Sequence, residues 1–376
     1  MAWHRVLATA CLRPSWITLG TAGLVLVGFF VCVLLLTPQS LHAALGIYPG
    51  YRTLDDRYFL FHRLTKLDEP ATPREGLGVV VLGASTARES IWDEKSLASR
   101  ISERIGKPVH AVELTSGGQT MIQSWSLAEQ TLCHGFDVAV VATTLGRFSR
   151  EDFGDPAEDF GYRASSTDAF VGVEASPDAP YAVDNLGFVS KSLFLVPHLA
   201  LYDLVGISRF KDNEKNAEVR HRFVGKKASQ HSTIKKRLRL ATESYLYWYP
   251  RKVGGNMKML ERLIETARAC GGTVVLFETP LHPWLLENPE FAKFQKLFRQ
   301  HQAAIAAIAE KYGLAYIELN RRIAYTAQDS NDHGHLRLES TIRATTTAIA
   351  DGVADYILSR LDEGQGGLAQ WQGTEP

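Results

Sequence analysis

The sequence lacks three features that often identify a class of protein: abundant cysteine, an excess of one charge, and a zinc-binding motif. Four cysteines in 376 residues exclude a small disulfide scaffold. Lys and Arg number 41 and Asp and Glu number 41, which argues against a nucleic-acid binder. No Cys-x-x-Cys pair or His-rich zinc spacing occurs, so we predict no structural metal and no cofactor. Hydrophobic residues make up 45% of the chain, enough for a packed core.

One apolar run is long enough to cross a membrane. Residues 14–36 carry no charge, and a helix of about 20 apolar residues spans the hydrocarbon core of a bilayer. The run is longer than the apolar core of a cleaved signal peptide. We therefore predict a transmembrane anchor at residues 14–36, between a cytoplasmic N-terminus (residues 1–13) and a linker (residues 37–75).

The basic residues around this run indicate its orientation. Arg5 and Arg13 precede it, whereas Arg52 is the only Lys or Arg between the run and residue 56. Lys and Arg are enriched on the cytoplasmic side of membrane segments. We predict a single-pass protein of the inner (cytoplasmic) membrane, with everything after the anchor extracytoplasmic, in the periplasm.

From residue 76 onward, strand and helix patterns alternate. Five apolar runs are typical of strands buried in a parallel sheet; they comprise residues 78–82, 109–114, 137–142, 273–277 and 314–319. Helical patterns cover residues 97–105, 121–132, 257–269, 291–312 and 342–361. This order predicts an α/β fold over residues 76–361, with a doubly wound, mostly parallel five-stranded sheet. An insertion at about 150–250 follows the third strand, and residues 362–376 are expected to form a flexible tail.

Candidate functional residues follow the first two predicted strands. Ser85 lies in the turn after the first strand, at a helix N-terminus whose N–H groups can stabilise an oxyanion. A serine there can also be a simple turn or N-cap residue. Gly117 and Gly118 follow the second strand and allow a backbone N–H to approach a ligand closely, or they form an ordinary loop.

Asp332 and His335 are three residues apart, so one turn of backbone can bring the carboxylate to the imidazole. A carboxylate on one ring nitrogen leaves the other nitrogen to take a proton from a serine. The same spacing is also common on polar surfaces. His333 and His335 could form a metal pair, but no third ligand is near them in the sequence, so we predict no metal site.

Together these segments resemble the SGNH (GDSL-type) hydrolase family. The resemblance depends on the Gly-x-Ser at residues 83–85, the glycine turn, and the Asp-x-x-His before the last helix. It implies that Ser85 is the nucleophile, His335 the general base and Asp332 its orienting partner. It also implies that Gly118 donates an oxyanion N–H beside that of Ser85.

Two positions depart from the family's pattern. Ala84 replaces the aspartate of Gly-Asp-Ser, a position that tolerates change. The family's Gly-x-Asn-Asp after the third strand is absent, because residues 143–149 contain no asparagine. That asparagine normally donates to the oxyanion, and losing one such donor typically costs about 10²–10³ in rate. The N–H of Gly146 and the side chain of Arg147 are the candidate replacements.

An anchored SGNH domain resembles the cell-envelope branch of the family, whose members move or remove acyl groups, often acetyl, on envelope polysaccharides. The resemblance implies a serine esterase or O-acyltransferase acting on a cell-envelope glycan through an acyl-serine intermediate. Some members work beside a multi-spanning membrane acyltransferase, which would be the partner here. A non-catalytic SGNH-like scaffold of a polysaccharide-modification complex is the alternative, because the asparagine is missing.

The family's strand order has a consequence for two cysteines. Cys133 and Cys270 each end a helix just before a strand, and that order makes the two helices neighbours on one face of the sheet. An oxidising compartment would permit a disulfide between them, and buried free thiols are the equally weighted alternative.

Within the predicted insertion, acidic and basic residues fall in different parts, although the whole chain has no net charge. Residues 151–184 carry nine acidic side chains and one basic, whereas residues 209–252 carry thirteen basic and four acidic. The two parts could simply neutralise each other or be solvated. The sharper hypothesis is that the basic part binds an anionic polymer or lipid headgroups, assisted by aromatic rings. The side chains in question are Lys235, Lys236, Arg237, Arg239, Tyr245, Tyr247, Trp248 and Tyr249.

Overall fold

The computed structural model describes residues 20–28, 76–115, 118–133, 135–149, 221, 223–225 and 229–362. Residues 20–28 are helical and exposed. The remainder of the predicted anchor, the segments 1–13 and 37–75, most of the insertion and the tail from residue 363 lie outside the described residues. Within the described part, no helix has both the length and the hydropathy needed to cross a bilayer.

Five parallel strands form one sheet, in the order β2-β1-β3-β4-β5. They are β1 (Leu77–Gly83), β2 (Val109–Thr115), β3 (Val138–Ala142), β4 (Thr273–Phe277) and β5 (Ala315–Ile317). The predicted α/β fold with a parallel five-stranded sheet is confirmed. Every residue of β1 and β3 is buried, which is why these strands appear in the sequence as unbroken apolar runs.

Helices cover both faces of the sheet. The longer ones are α2 (Glu94–Ile105), α3 (Met121–Leu132), α5 (His231–Ala269), α7 (Ala292–Tyr312) and α9 (Glu339–Asp362). Short helices α1 (Ser85–Arg88), α4 (Leu145–Phe148), α6 (Pro283–Glu287) and α8 (Leu319–Arg322) follow strands or loops. Helices α3, α5 and α7 share one apolar core with alternate strand residues. Helices α2 and α9 share the other.

Helix α5 differs most from the sequence-based prediction. We expected it from Met257, and residues 231–250 were assigned to the insertion, but the helix begins at His231 and runs through Pro250. A proline inside a helix removes one backbone hydrogen bond and usually ends or kinks the helix. Here both halves are held by packing, because Leu238 and Tyr249 before or beside the proline and Leu260 after it are buried in the same core.

A disulfide joins α3 to α5. Cys133 and Cys270 each follow the last residue of their helix, and their Cα atoms are 4.7 Å apart. The two helices are therefore neighbours, as the strand order predicted, and the two cysteines form a disulfide instead of remaining free thiols. A second tie between the helices is the hydrogen bond from Trp125 Nε1 to Thr266 Oγ1, at 2.9 Å.

We predict that the double substitution Cys133→Ser and Cys270→Ser lowers the free energy of unfolding by about 2–4 kcal/mol, because the cross-link restricts the unfolded chain. Urea denaturation of the oxidised protein and the variant measures the difference. As a control, the denatured, unreduced protein is alkylated and mapped by peptide. Alkylation at both of these positions would show that the bridge does not form.

Candidate active site

The loops after β1, β2 and β3 leave the sheet at one edge. Gly83 pairs with Thr115 at the ends of β1 and β2, and Leu82 pairs with Val141 of β3. In parallel sheets, ligands bind beyond the carboxyl ends of the strands, where such loops converge. Four residues predicted from sequence to carry chemistry follow these three strands: Ser85, Gly118, Gly146 and Arg147. Asp332 and His335 come later in the chain, between β5 and α9.

Ser85 is placed by a tight turn between β1 and α1. A Cβ atom on Gly83 would lie 2.5 Å from the Cβ of Ala87 and 2.9 Å from that of Ala142. The glycine therefore permits α1 to fold back against the sheet. Ser85 is the first residue of α1, and its Oγ lies 3.1 Å from Nε2 of His335.

His335 and Asp332 sit in a turn closed by its own backbone. Ser330 and Leu336 form an antiparallel bridge, and the N–H of Asn331 donates to the carbonyl of His335. Within the turn, Oδ1 of Asp332 accepts from the N–H groups of Gly334 and His335, each at 3.0 Å. Both carboxylate oxygens lie within 2.9 Å of Nδ1 of His335.

The charges in this turn support each other. Burial alone would raise the pKa of Asp332, but the hydrogen bond and charge of His335 and the charge of His333 hold it well below its usual range. Burial likewise disfavours charged His335, yet its hydrogen bond to Asp332 and the Asp332 charge raise its pKa above the ordinary value. An ionised Asp332 keeps the proton on Nδ1, which leaves Nε2 to accept the Ser85 proton. The structure thus brings together all three residues predicted as a triad.

Two glycines predicted to serve the oxyanion lie in the converging loops. Gly118 has φ of +73°, a left-handed conformation that favours glycine. Among the described residues, no group accepts a hydrogen bond from the N–H of Ser85 or of Gly118. Gly146 lies in α4, where an added Cβ would come within 3.3 Å of the Tyr245 ring.

Arg147 is directed away from solvent and is almost completely buried. Its guanidinium donates to the carbonyls of Gln119 (3.2 Å), Ala142 (2.6 Å) and Thr120 (3.0 Å), and it also contacts Ser124 Oγ. These bonds join the loop after β2 to the end of β3. The arrangement favours a structural role for Arg147 over the oxyanion role considered from sequence.

A buried network that sequence analysis missed supports, from β4, the turn that holds Asp332 and His335. The Glu278 carboxylate accepts from the N–H of Asn320 (2.6 Å) and from the side chain of Gln302 (2.8 Å). Burial raises the pKa of Glu278. The Asn320 side chain in turn accepts from the N–H of Leu281 and donates to the carbonyl of Thr279.

This network fixes the loop that carries His282, whose N–H donates to the carbonyl of His333 at 3.0 Å. The His282 ring is fully buried, and burial lowers its pKa to about 4, so it is neutral. Glu278 is 24 positions from Gln302 and 42 from Asn320, so these residues form no local motif. No sequence signal could have found them.

Two of the basic residues of α5 share one acidic partner. Lys235 and Arg239 bind Glu290, which lowers the pKa of that carboxyl group. Arg237 donates at 3.4 Å to the carbonyl of Asn331, in the turn that holds Asp332 and His335. The surface considered from sequence for an anionic polymer therefore has less net positive charge, because Glu290 offsets part of the charge of Lys235 and Arg239.

The four aromatic residues of α5 have different environments. Tyr249 is buried and its hydroxyl donates to Nδ1 of His301, so its ring is not part of the exposed surface considered from sequence for an anionic polymer or lipid headgroups. Burial raises the pKa of Tyr249 to about 12. Tyr247 is exposed with Arg251 over its ring, and Lys252 lies over Trp248. Of these four, Tyr245 adjoins the turn that holds Asp332 and His335, with its ring 5.9 Å from that of His333.

We predict that Arg147→Met lowers the free energy of unfolding by at least about 3 kcal/mol, because each buried carbonyl left unpaired costs about 1–3 kcal/mol. Arg147→Lys should recover part of this loss. Urea denaturation of both variants measures it. A Met variant as stable as the parent would remove the structural role and return Arg147 to the candidates for substrate contact.

No protein-family model matches this chain, and no curated protein matches it in sequence. The site therefore has to be interpreted from its own geometry.

Proposed function

We propose that this protein is a serine-dependent acyl esterase or O-acyltransferase of the SGNH type. The observation that carries the proposal is the chain of contacts from Ser85 Oγ to His335 Nε2 and from His335 Nδ1 to Asp332. Nucleophile, base and orienting carboxylate are in hydrogen-bond reach of one another, which is the geometric signature of an activated serine.

The chemistry follows from these contacts. Ser85 Oγ attacks the ester carbonyl while its proton passes to His335 Nε2, and the carbonyl oxygen becomes an oxyanion. The N–H groups of Ser85 and Gly118 are the proposed donors to that oxyanion, with the N–H of Gly146 as the third. The tetrahedral intermediate then breaks its bond to the leaving alkoxide, which takes the proton from Nε2. Water or a sugar hydroxyl finally displaces the acyl group from Ser85 by the reverse sequence.

The proposed site of action is the cell envelope. The Cys133–Cys270 disulfide supports an oxidising compartment. The proposed anchor at residues 14–36 is supported by its uncharged sequence and by the helical, exposed apolar residues 24–27 within it. An acylated envelope glycan, in the periplasm and at the inner membrane, is the proposed substrate. A multi-spanning membrane acyltransferase is the proposed partner where the reaction is a transfer.

A non-catalytic scaffold is the second candidate, and the loop after β3 favours it. Residues 143–149 supply no asparagine, and the one long polar side chain there, Arg147, is bonded to protein carbonyls. The oxyanion would then depend on backbone N–H groups alone.

Labelling with a fluorophosphonate probe separates the two candidates. An activated serine reacts with such a probe, so we expect the folded protein to be labelled and Ser85→Ala to be unlabelled. Ser90→Ala, which removes the nearest other serine along the chain, is the control and should label like the parent. Absence of labelling in folded parent protein would favour the scaffold.

We predict that Asp332→Asn lowers turnover by up to about 10⁴, because the amide stabilises the wrong imidazole tautomer. The residual activity should also change its pH profile. His335 must be neutral to act as base, so activity falls as pH drops through its pKa, which Asp332 raises. Without the Asp332 charge, burial lowers the pKa of His335. The acid limb of the activity profile should therefore move to lower pH. The measurement is kcat/KM against pH for a small ester, with circular dichroism as the folding control. Full turnover and an unmoved acid limb would remove Asp332 from the mechanism.

A further inference from the structure

Two aromatic rings from outside the sheet adjoin the catalytic turn. The ring centroid of Phe223 lies 5.5 Å from that of His335. The ring of Tyr245 lies 5.9 Å from that of His333, which is itself 5.7 Å from His335. We call Phe223 and Tyr245 the flanking aromatic pair.

Phe223 lies late in the predicted insertion, and described residues on either side of it, His221 and Ser229, contact the rest of the domain. At one end, His221 stacks on Trp92, with ring centroids 4.7 Å apart and planes within 5°. Its Nε2 is 2.7 Å from the Trp92 carbonyl. At the other end, Ser229 Oγ donates to Asn331 Oδ1 in the catalytic turn at 3.0 Å. Phe223 is therefore held next to the histidine that contacts the nucleophile.

Tyr245 is held by three neighbours. It packs against Phe294 of α7, with ring centroids 6.0 Å apart, and against the edge of His333. Gly146 leaves the space its hydroxyl occupies, since an added Cβ there would come within 3.3 Å of that oxygen. The tyrosine thus reaches the loop after β3, where an oxyanion donor was expected.

We propose that the flanking aromatic pair forms the subsite for the sugar ring of an O-acylated pyranoside. This inference rests on the proposed function, because it needs an ester carbonyl at Ser85. The alcohol part of such an ester must then extend past His335, where the two rings lie.

The chemistry of the surroundings fits a sugar. A pyranose has apolar C–H faces, which pack on aromatic rings, and hydroxyl groups, which need polar partners. Next to the rings lies His333, whose side chain is 28% exposed. Rings that alternate with polar groups are the pattern of sites that fix the orientation of a polar ligand.

Substitution of Tyr245 tests the proposal. We expect Tyr245→Leu, which keeps an apolar side chain but removes the ring, to raise KM for an O-acetylated oligosaccharide about tenfold, the value of a lost aromatic contact. Tyr245→Phe should retain most of the affinity. The loss of kcat/KM should be several times larger for the oligosaccharide than for ethyl acetate, which has no ring. Tyr247→Leu, two residues along the same helix, is the matched control and should behave like the parent.

Equal losses on both substrates, or none on either, would overturn the sugar subsite. Failure of the proposed function is distinguishable, because it appears as no fluorophosphonate labelling and no hydrolysis of ethyl acetate. In that case the same oligosaccharide is titrated into the Ser85→Ala protein by calorimetry. Binding that weakens in Ser85→Ala/Tyr245→Leu but not in Ser85→Ala/Tyr247→Leu supports the subsite without catalysis, and absence of binding overturns it.

Discussion

The Asp332 carboxylate is a largely buried charge, and much of the site's geometry follows from the groups that compensate it. A buried carboxylate is costly unless hydrogen bonds and an opposite charge surround it. Asp332 obtains these from two backbone N–H groups of its own turn and from the His335 ring. The same bonds fix the shape of the turn and the orientation of the imidazole. The bonds that compensate the Asp332 charge therefore also direct Nε2 of His335 toward Ser85.

The turn cannot hold this position alone, since a five-residue loop has little core of its own. Three separate parts of the chain support it. Asp329 accepts from Thr326 and Thr341 on either side of the turn, and His282 binds it from the loop after β4. The segment that includes Ser229 binds it from the side of the insertion. Because each support comes from a different part of the chain, His335 reaches its position only when these parts have packed together.

How much of this could be predicted from sequence depends on the distance over which each interaction acts. The strands could be predicted, because burial on both faces leaves an unbroken apolar run. The Asp332–His335 contact could be predicted from a spacing of three. The strand order of the family that the sequence resembles predicted that the helices ending at Cys133 and Cys270 are neighbours, but not whether the two thiols are bonded. The start of α5 could not, because Pro250 suggests a break that long-range packing overrides. Phe223 could not either, since nothing local marks a residue that docks on a histidine more than a hundred positions away.

The loop after β3 departs from the pattern of the SGNH family that the sequence resembles. That pattern has an asparagine here, whereas this loop carries Arg147, whose donors are bonded to the carbonyl at the end of β3 and to two carbonyls in the loop after β2. Those bonds hold the backbone of the Gly118 loop in place. In the family's pattern the asparagine side chain would donate to the substrate. Here the Arg147 side chain instead holds the backbone that carries the proposed N–H donors. Rigid backbone donors stabilise an oxyanion without reorganising during the reaction. The proposed catalysis therefore depends on the order of this loop rather than on an additional side chain.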